Sequence, residues 1–356
     1  MEGQKGRSGL FRNIWPFIAA AFVFMLVLAA IRNPLFVENY YSEGFYMVFA
    51  RVISFFSRLL PFSLWDIFWF VAIFSLLAGI ALVIRKKIRL TKLLLKTGQV
   101  LALLYAYFYI SWGFNYFRPD IEKRIGLELQ TVDEKLFRTM FDSVIVMVNR
   151  SHTVIEKGDY NDIDLQVEES FSDNSALLDI KYPNGYRRPK KMIFSNLIAK
   201  FGISGYFGPF FNEINLNRRI LPMEYPFLLA HEKAHQFGVS RESDANLVAY
   251  IVCTKSSDRR LNYSGNLALL LYIMEDAQYL KDYREYLRKL DKPVLEELRF
   301  RQEYYYGLQN EVMEHAHEKV YDAYLKSNQV TSGIENYNQV VELAVSWFVR
   351  ESKISE

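Results

Sequence analysis

Cysteine is almost absent. Cys253 is the only one in 356 residues, so no disulfide can staple this chain to itself. Its neighbours, "VAYIVC", predict a buried, inert thiol. Net charge is nearly absent as well. The balance of +3 is too small for nucleic acid, and no basic run is interleaved with aromatic residues as a strand-binding groove requires. There is no internal repeat and no low-complexity linker. Histidine is scarce, with five in all. Two of those five stand four residues apart with an acid between them, in "HEKAHQFGVSRESDAN" at 231–246.

What is abundant is apolar surface. Hydrophobic residues make up 51% of the chain and aromatic residues 16%, both rich for a soluble protein. The excess is concentrated at the front. Residues 14–31, 67–84 and 97–117 are three apolar runs, the last ending in aromatic residues. A bilayer core takes roughly 20 apolar residues as helix, with about 17 as the lower limit. Helix is the only open structure whose backbone satisfies itself in lipid. The first run is read as a span rather than a cleaved signal peptide, because it is long and lacks a small-residue cleavage site.

Basic residues set the orientation. Lys5, Arg7 and Arg12 precede the first run, and Arg85, Lys86, Lys87, Arg89, Lys92 and Lys96 crowd the loop after the second. The connection 32–61 carries only Arg32, Arg51 and Arg58. The positive-inside bias therefore puts the N-terminus and the second loop in the cytoplasm. Everything after residue 117 then lies outside. In the first connection Phe45, Phe49, Val52, Phe56 and Leu59 recur at helical spacing. An amphipathic helix on the outer interface accounts for this, and so does a helix packed on the other domain.

The expected organisation is thus a mainly α membrane protein. A membrane domain, 1–117, carries three transmembrane helices. A mostly helical extracytoplasmic domain, 118–356, carries a small strand region. Asp133 is the expected N-cap of a helix whose stripe is Leu136, Met140, Val144 and Met147. Residues 160–192 are rich in Asp, Asn, Ser and Pro and read as loop. The stretch 211–216, from Phe211 to Leu216, alternates and reads as a strand. Helical patterns run from about Gly265 to the C-terminus.

On a helix, His231 and His235 share one face and can turn their rings to one ion. Glu232 lies about 100° round from His231, beside such an ion rather than on it, where it can take a proton from water. The lead-in "YPFLLA" is apolar and Gly238 is a natural helix stop. This is the H-E-x-x-H arrangement of zinc peptidases. A catalytic zinc takes three protein ligands and leaves a position for water. Glu242 and Asp244 are the candidates for the third. Glu242 shares a helix face with Asn246, whereas Asp244 lies about 200° away. Glu242 is therefore favoured, with Asn246 hydrogen-bonding a ligand from behind. Asp244 is expected at the solvent edge or paired with Arg241. An oxyanion donor is not visible, and His315, His317, Tyr263 and Tyr321 stay open for that part. His152 reads as ordinary surface. The strand at 211–216 is expected to be an edge strand that binds an extended peptide.

Four stretches carry a resemblance. They are "WGFNYFRP", "GISGYFGPFFNEINLN", "HEKAHQFGVSRESDANLVAYI" and "YDAYLKSNQVTSGIENYNQVV". Together they resemble a family of three-pass bacterial membrane proteins of unknown function with a zincin-like metallopeptidase core. The histidine stretch is also similar to that of membrane gluzincins of the CAAX-prenyl-protease type, whose second helix carries Glu-x-x-Ala-Asp. Glu242 and Ala245 keep that pattern, and Asn246 stands where the Asp would be.

The expected function is a zinc metallopeptidase of the bacterial inner membrane. His231, His235 and Glu242 hold one zinc ion, and Glu232 is general base to a zinc-activated water that cleaves a peptide bond. One rival is a non-enzymatic membrane scaffold or sensor with a structural zinc, for which a closed fourth position would speak. The other is a zinc hydrolase of a non-peptide envelope component.

Overall fold

The computed structural model describes residues 2–182, 187–330 and 339–355, and for residues 2–12, 354 and 355 the backbone alone. The Lys5, Arg7 and Arg12 side chains lie outside the described residues, as do 183–186 of the polar stretch and 331–338 of the C-terminal helical pattern. The chain forms two units. One is Met1–Arg118 with Gly208–Glu213, and the other is Pro119–Phe207 with Ile214–Glu356.

The first unit contains α1 (Glu2–Ile31), α2 (Tyr46–Ser57), α3 (Leu64–Ile84) and α4 (Leu90–Ser111). Asn13–Ile31 of α1, α3 and α4 are each long and apolar enough to cross a membrane. Ser63 caps α3, accepting from the Asp66 amide at 2.9 Å. The third apolar helix starts earlier and stops sooner than residues 97–117. Its first turns carry Lys92 and Lys96, whose aliphatic stems can lie along a helix while the ammonium heads stay in water. It stops at Ser111 because the chain tightens at Gly113, where a Cβ would lie 2.7 Å from the Phe108 ring. A 3₁₀ turn, Gly113–Phe117, follows. Gln99 Nε2 donates to Asn13 O at 2.9 Å, which ties α4 to α1. The short link 85–89 turns α4 back along α3, and Phe210 meets both Trp65 at the start of α3 and Tyr107 near the end of α4.

The first long helix of the second unit is α5 (Glu134–Ser151), capped as expected by Asp133, whose carboxylate accepts from the Leu136 amide at 2.7 Å. Its buried stripe includes Phe137, Met140, Phe141 and Val144. Next comes α6 (Tyr160–Asp173), within the stretch read as loop. Ile163, Val167 and Phe171 recur every four residues and are fully buried. Three apolar anchors on one face outweigh the polar majority around them.

A small sheet follows, of β1 (Lys190–Lys191), β2 (Gly205–Gly208) and β3 (Glu213–Leu216), in the order β1-β3-β2. β1 is parallel to β3, with Lys190 opposite Asn215. β2 and β3 are joined by four residues, too few for a crossover, so they form an antiparallel hairpin. The expected edge strand at 211–216 is therefore corrected twice. The strand begins at Glu213, because Asn212 turns at φ +48°, and it lies in the middle of the sheet. The edge strand beside it is β2.

The remaining long helices are α7 (Tyr225–Gln236), α8 (Glu242–Lys255), α9 (Arg259–Asp276), α10 (Lys292–Leu308), α11 (Glu311–Ser327) and α12 (Gln339–Ser355). α7 and α8 pack on each other and on α9. Leu229, Ala230, Ala234, Leu247, Val248 and Ile251 fill that junction and are fully buried. Cys253 is buried there too, and burial raises its thiol far above the ordinary value.

Candidate metal centre

α7 begins with Pro226 in its first turn, where no amide is missed. It ends at Gly238, whose φ of +82° only glycine adopts without strain. Between these points His231 and His235 stand one turn apart, with ring centroids 4.7 Å apart and planes at 90°. The turn at Gly238 leads directly into α8, whose first residue is Glu242. The two Nε2 atoms are 3.1 Å apart. Glu242 Oε2 is 3.1 Å from His231 Nε2 and 3.5 Å from His235 Nε2. An ion with tetrahedral N and O ligands at 2.0–2.2 Å needs donor atoms about 3.3–3.6 Å apart. The three spacings bracket the lower end of that range, so the donors fit zinc in type and distance. Among the described residues no fourth His, Cys, Asp or Glu joins the cluster.

All three groups are buried, and burial opposes charge on Glu242 and His235. In Glu242 the nearby His235 and His231 more than reverse this and hold the carboxyl well below its usual value. In His235 burial alone would lower the imidazole, but Glu242 raises it to about 9.

Glu232 is also buried but stands outside the cluster. Its Oε2 makes no hydrogen bond. The other side of the carboxylate meets β2. A Cβ at Gly205 would lie 2.7 Å from Oε1, so only glycine lets the strand come this close. The Phe207 backbone supplies a hydrogen bond. Burial raises the Glu232 carboxyl above its ordinary value, against the pull of His231 and His235. A carboxylate with one uncommitted oxygen and raised basicity suits proton transfer.

Three supports behind these groups were not read from sequence. His235 Nδ1 is 2.8 Å from Val239 O, which orients the ring so that Nε2 faces His231 and Glu242. The Tyr321 hydroxyl on α11 donates to Glu242 Oε1, leaving Oε2 toward the histidines. Lys233 points away from the cluster and is fully buried. Its ammonium is 2.5 Å from Glu168 Oε1 on α6 and 3.0 Å from Arg187 O. Glu168 also accepts from the Tyr182 hydroxyl and the Arg187 amide.

Several expected positions differ. Asn246 is buried on α8 as expected, but it makes no hydrogen bond to His231, His235 or Glu242. It faces the Tyr272 hydroxyl, and its Nδ2 has no partner. Asp244 is not at the solvent edge. It is buried, accepts from the Ile121 amide at 3.3 Å, and burial pushes it up to about 6. Arg241, its expected partner, is 2.5 Å from Asp120 instead. Of the four open donors, Tyr321 reaches the cluster. His317 stacks on Tyr321 with centroids 5.7 Å apart, His315 is exposed beside Glu318, and Tyr263 is bonded to Glu297. His152 is not ordinary surface, for it packs edge-on against Tyr263 at 5.0 Å.

Fold and cluster together define a mainly helical protein with three helices fit to cross a membrane and a buried His₂Glu group in its second unit. The chain belongs to the family described as "Protein of unknown function (DUF3810)", whose model matches residues 41–345. No curated protein and no solved structure matches it significantly.

Proposed function

We propose that this protein is a zinc metallopeptidase with a zincin-like core, anchored in a bacterial cytoplasmic membrane. The observation that carries the reading is the convergence of His231, His235 and Glu242 with Glu232 beside them, one oxygen unspent. Zinc held by this trio supplies Lewis acidity, polarising a carbonyl and acidifying water. Three donors with no fourth His, Cys, Asp or Glu among the described residues make the set of a catalytic rather than a structural zinc. Glu232 takes the proton of the attacking water on Oε2 and returns it to the leaving amine. β2 passes Glu232 at Gly205, so an extended peptide lies along this edge strand. The basic loop 85–89 and the basic N-terminus mark the cytoplasmic face, which leaves the second unit on the other side.

The test compares wild type with Glu232→Gln, both assayed for zinc and for hydrolysis of peptides. The expected result is about one zinc per chain in both and a loss of roughly 10²- to 10⁴-fold in rate in the variant. His231→Ala should lose the metal. Full zinc in His231→Ala, or undiminished hydrolysis in zinc-loaded Glu232→Gln, would overturn the reading.

A further inference from the structure

The link between the first two apolar helices turns a continuous apolar stripe outward. The α-helix Pro34–Phe36, the π-helix Val37–Phe45 and α2 follow one another without a break. Along them Phe36, Tyr40, Phe45, Val48, Val52 and Phe56 are all 48–66% exposed. Their spacing is three or four residues except for the five between Tyr40 and Phe45. That step falls in the π-helix, whose wider turn keeps Phe45 in line. One apolar stripe therefore runs the whole length.

The opposite face is buried, with Val37, Tyr46 and Ala50 packed among polar residues that find partners. Glu38 grips Arg118 at 2.7 and 2.5 Å. Ser42 donates to Asn115 Oδ1 at 2.8 Å, and Ser57 donates to Glu213 Oε2 at 3.2 Å. In water the stripe would remain a long exposed apolar surface. Against lipid it is covered.

The ends of this stretch locate it. Glu38 meets Arg118, just past the end of α4. Ser57 shares Glu213 with the start of α3, where the Ser63 hydroxyl and the Trp65 amide donate to the same carboxylate at 3.4 and 2.8 Å. α3 and α4 are consecutive and antiparallel, so the start of one and the end of the other lie at the same membrane face. A helix with both ends at one face does not cross. We propose that residues 34–57 form an in-plane helix seated in the bilayer interface at that face, with the stripe from Phe36 to Phe56 in the acyl layer. Arg51 and Arg58 are exposed beside it, and the Arg58 guanidinium lies 4.7 Å over the Phe55 ring. From there both reach lipid phosphates while their stems stay apolar. The occupant is lipid rather than another protein because the stripe continues the apolar surface of α1 and α3, whose own large side chains are exposed in the same way.

The experiment uses the full chain in lipid nanodiscs, with a fluorophore on Val52→Cys and, as the aqueous control, on Val154→Cys in the second unit. Val154 is 70% exposed. The native Cys253 is buried and stays unlabelled. Lipids brominated along the acyl chain should quench the label at position 52 several-fold more than that at 154, and aqueous iodide should do the reverse. Val48→Cys, one turn earlier, repeats the measurement should Val52→Cys not fold. Iodide quenching at 52 equal to that at 154, or energy transfer showing a second copy against the stripe with no quenching by lipid, would overturn the proposal. Neither outcome depends on the metal.

Discussion

Replacing Glu168 by glutamine should melt the second unit well below the wild type, although the change is nearly isosteric. Lys233 is fully buried, and its ammonium has two acceptors, Glu168 Oε1 at 2.5 Å and Arg187 O at 3.0 Å. Glutamine keeps an acceptor there but removes the compensating charge. Breaking a buried pair from one side costs about 3–5 kcal/mol, because an unpaired charge stays behind. Domains of about 150–250 residues lose roughly 2–4 °C per kcal/mol. The full chain in detergent should therefore lose roughly 6–20 °C in its melting temperature, followed by intrinsic fluorescence. Adding Lys233→Met removes the orphaned charge, so the double variant should recover most of the loss. The acid limb gives an independent reading. Burial pushes the Glu168 carboxyl up, but Lys233 holds it below its ordinary value. A depressed carboxyl contributes fully above its unfolded value, near 4.3, and loses that contribution as pH falls through the folded value. Wild type should thus show a loss of stability below about pH 4 that Glu168→Gln lacks. A Glu168→Gln protein that melts within about 2 °C of wild type would refute the reasoning, since it would mean Lys233 bears no charge needing a partner.

Other outcomes follow from the same geometry. Glu242→Gln should release zinc far more readily than Asp244→Asn in a chelator competition, because only Glu242 places an oxygen among the histidine nitrogens; equal losses would move the third ligand. Tyr321→Phe keeps the ring and removes the hydroxyl that turns Glu242, so zinc affinity should fall about 10- to 100-fold with melting little changed. An unaltered affinity would leave that contact without a role in binding. Reporter fusions after residue 90 should be cytoplasmic and those after residue 130 on the far side, and a cytoplasmic reporter at 130 would remove the three-span topology.

Much of this was legible because its signals are local. The apolar runs declare themselves by length, and the motif helix by two histidines one turn apart before a glycine. Errors arose where a local signal had to be weighed against distant packing. Residues 160–173 look polar, yet Ile163, Val167 and Phe171 suffice to make a buried helix. Lys92 and Lys96 look like loop residues until they are laid along the stem of α4. The alternation from Phe211 to Leu216 identifies a strand but says nothing of its neighbours. Its middle place depends on β1, more than twenty residues earlier. Asp244 looked solvent-facing from its angle on the helix, but Ile121 covers it from a distant segment. Tyr321 could not be singled out among the late tyrosines, because 79 residues separate it from Glu242.

The supports of the cluster differ in kind, and this bears on how it is kept in shape. His235 is oriented by a backbone carbonyl four residues away, which no side-chain substitution deletes and which depends on the glycine turn holding. Glu242 is turned by a tyrosine on a helix with little buried surface of its own, for Leu325 is the buried residue of α11. α7 itself is pinned from the far side by an ion pair with a helix outside the motif. Donor type and spacing are thus set within a short stretch of sequence, while donor orientation comes from three separate directions. A tetrahedral ion discriminates on orientation as much as on donor type. The same H-E-x-x-H letters on an isolated helix would offer the right atoms but leave Glu242 and the His235 ring to turn away. What makes the stretch a candidate centre is therefore the convergence of α6, α11 and the Gly238 turn behind it.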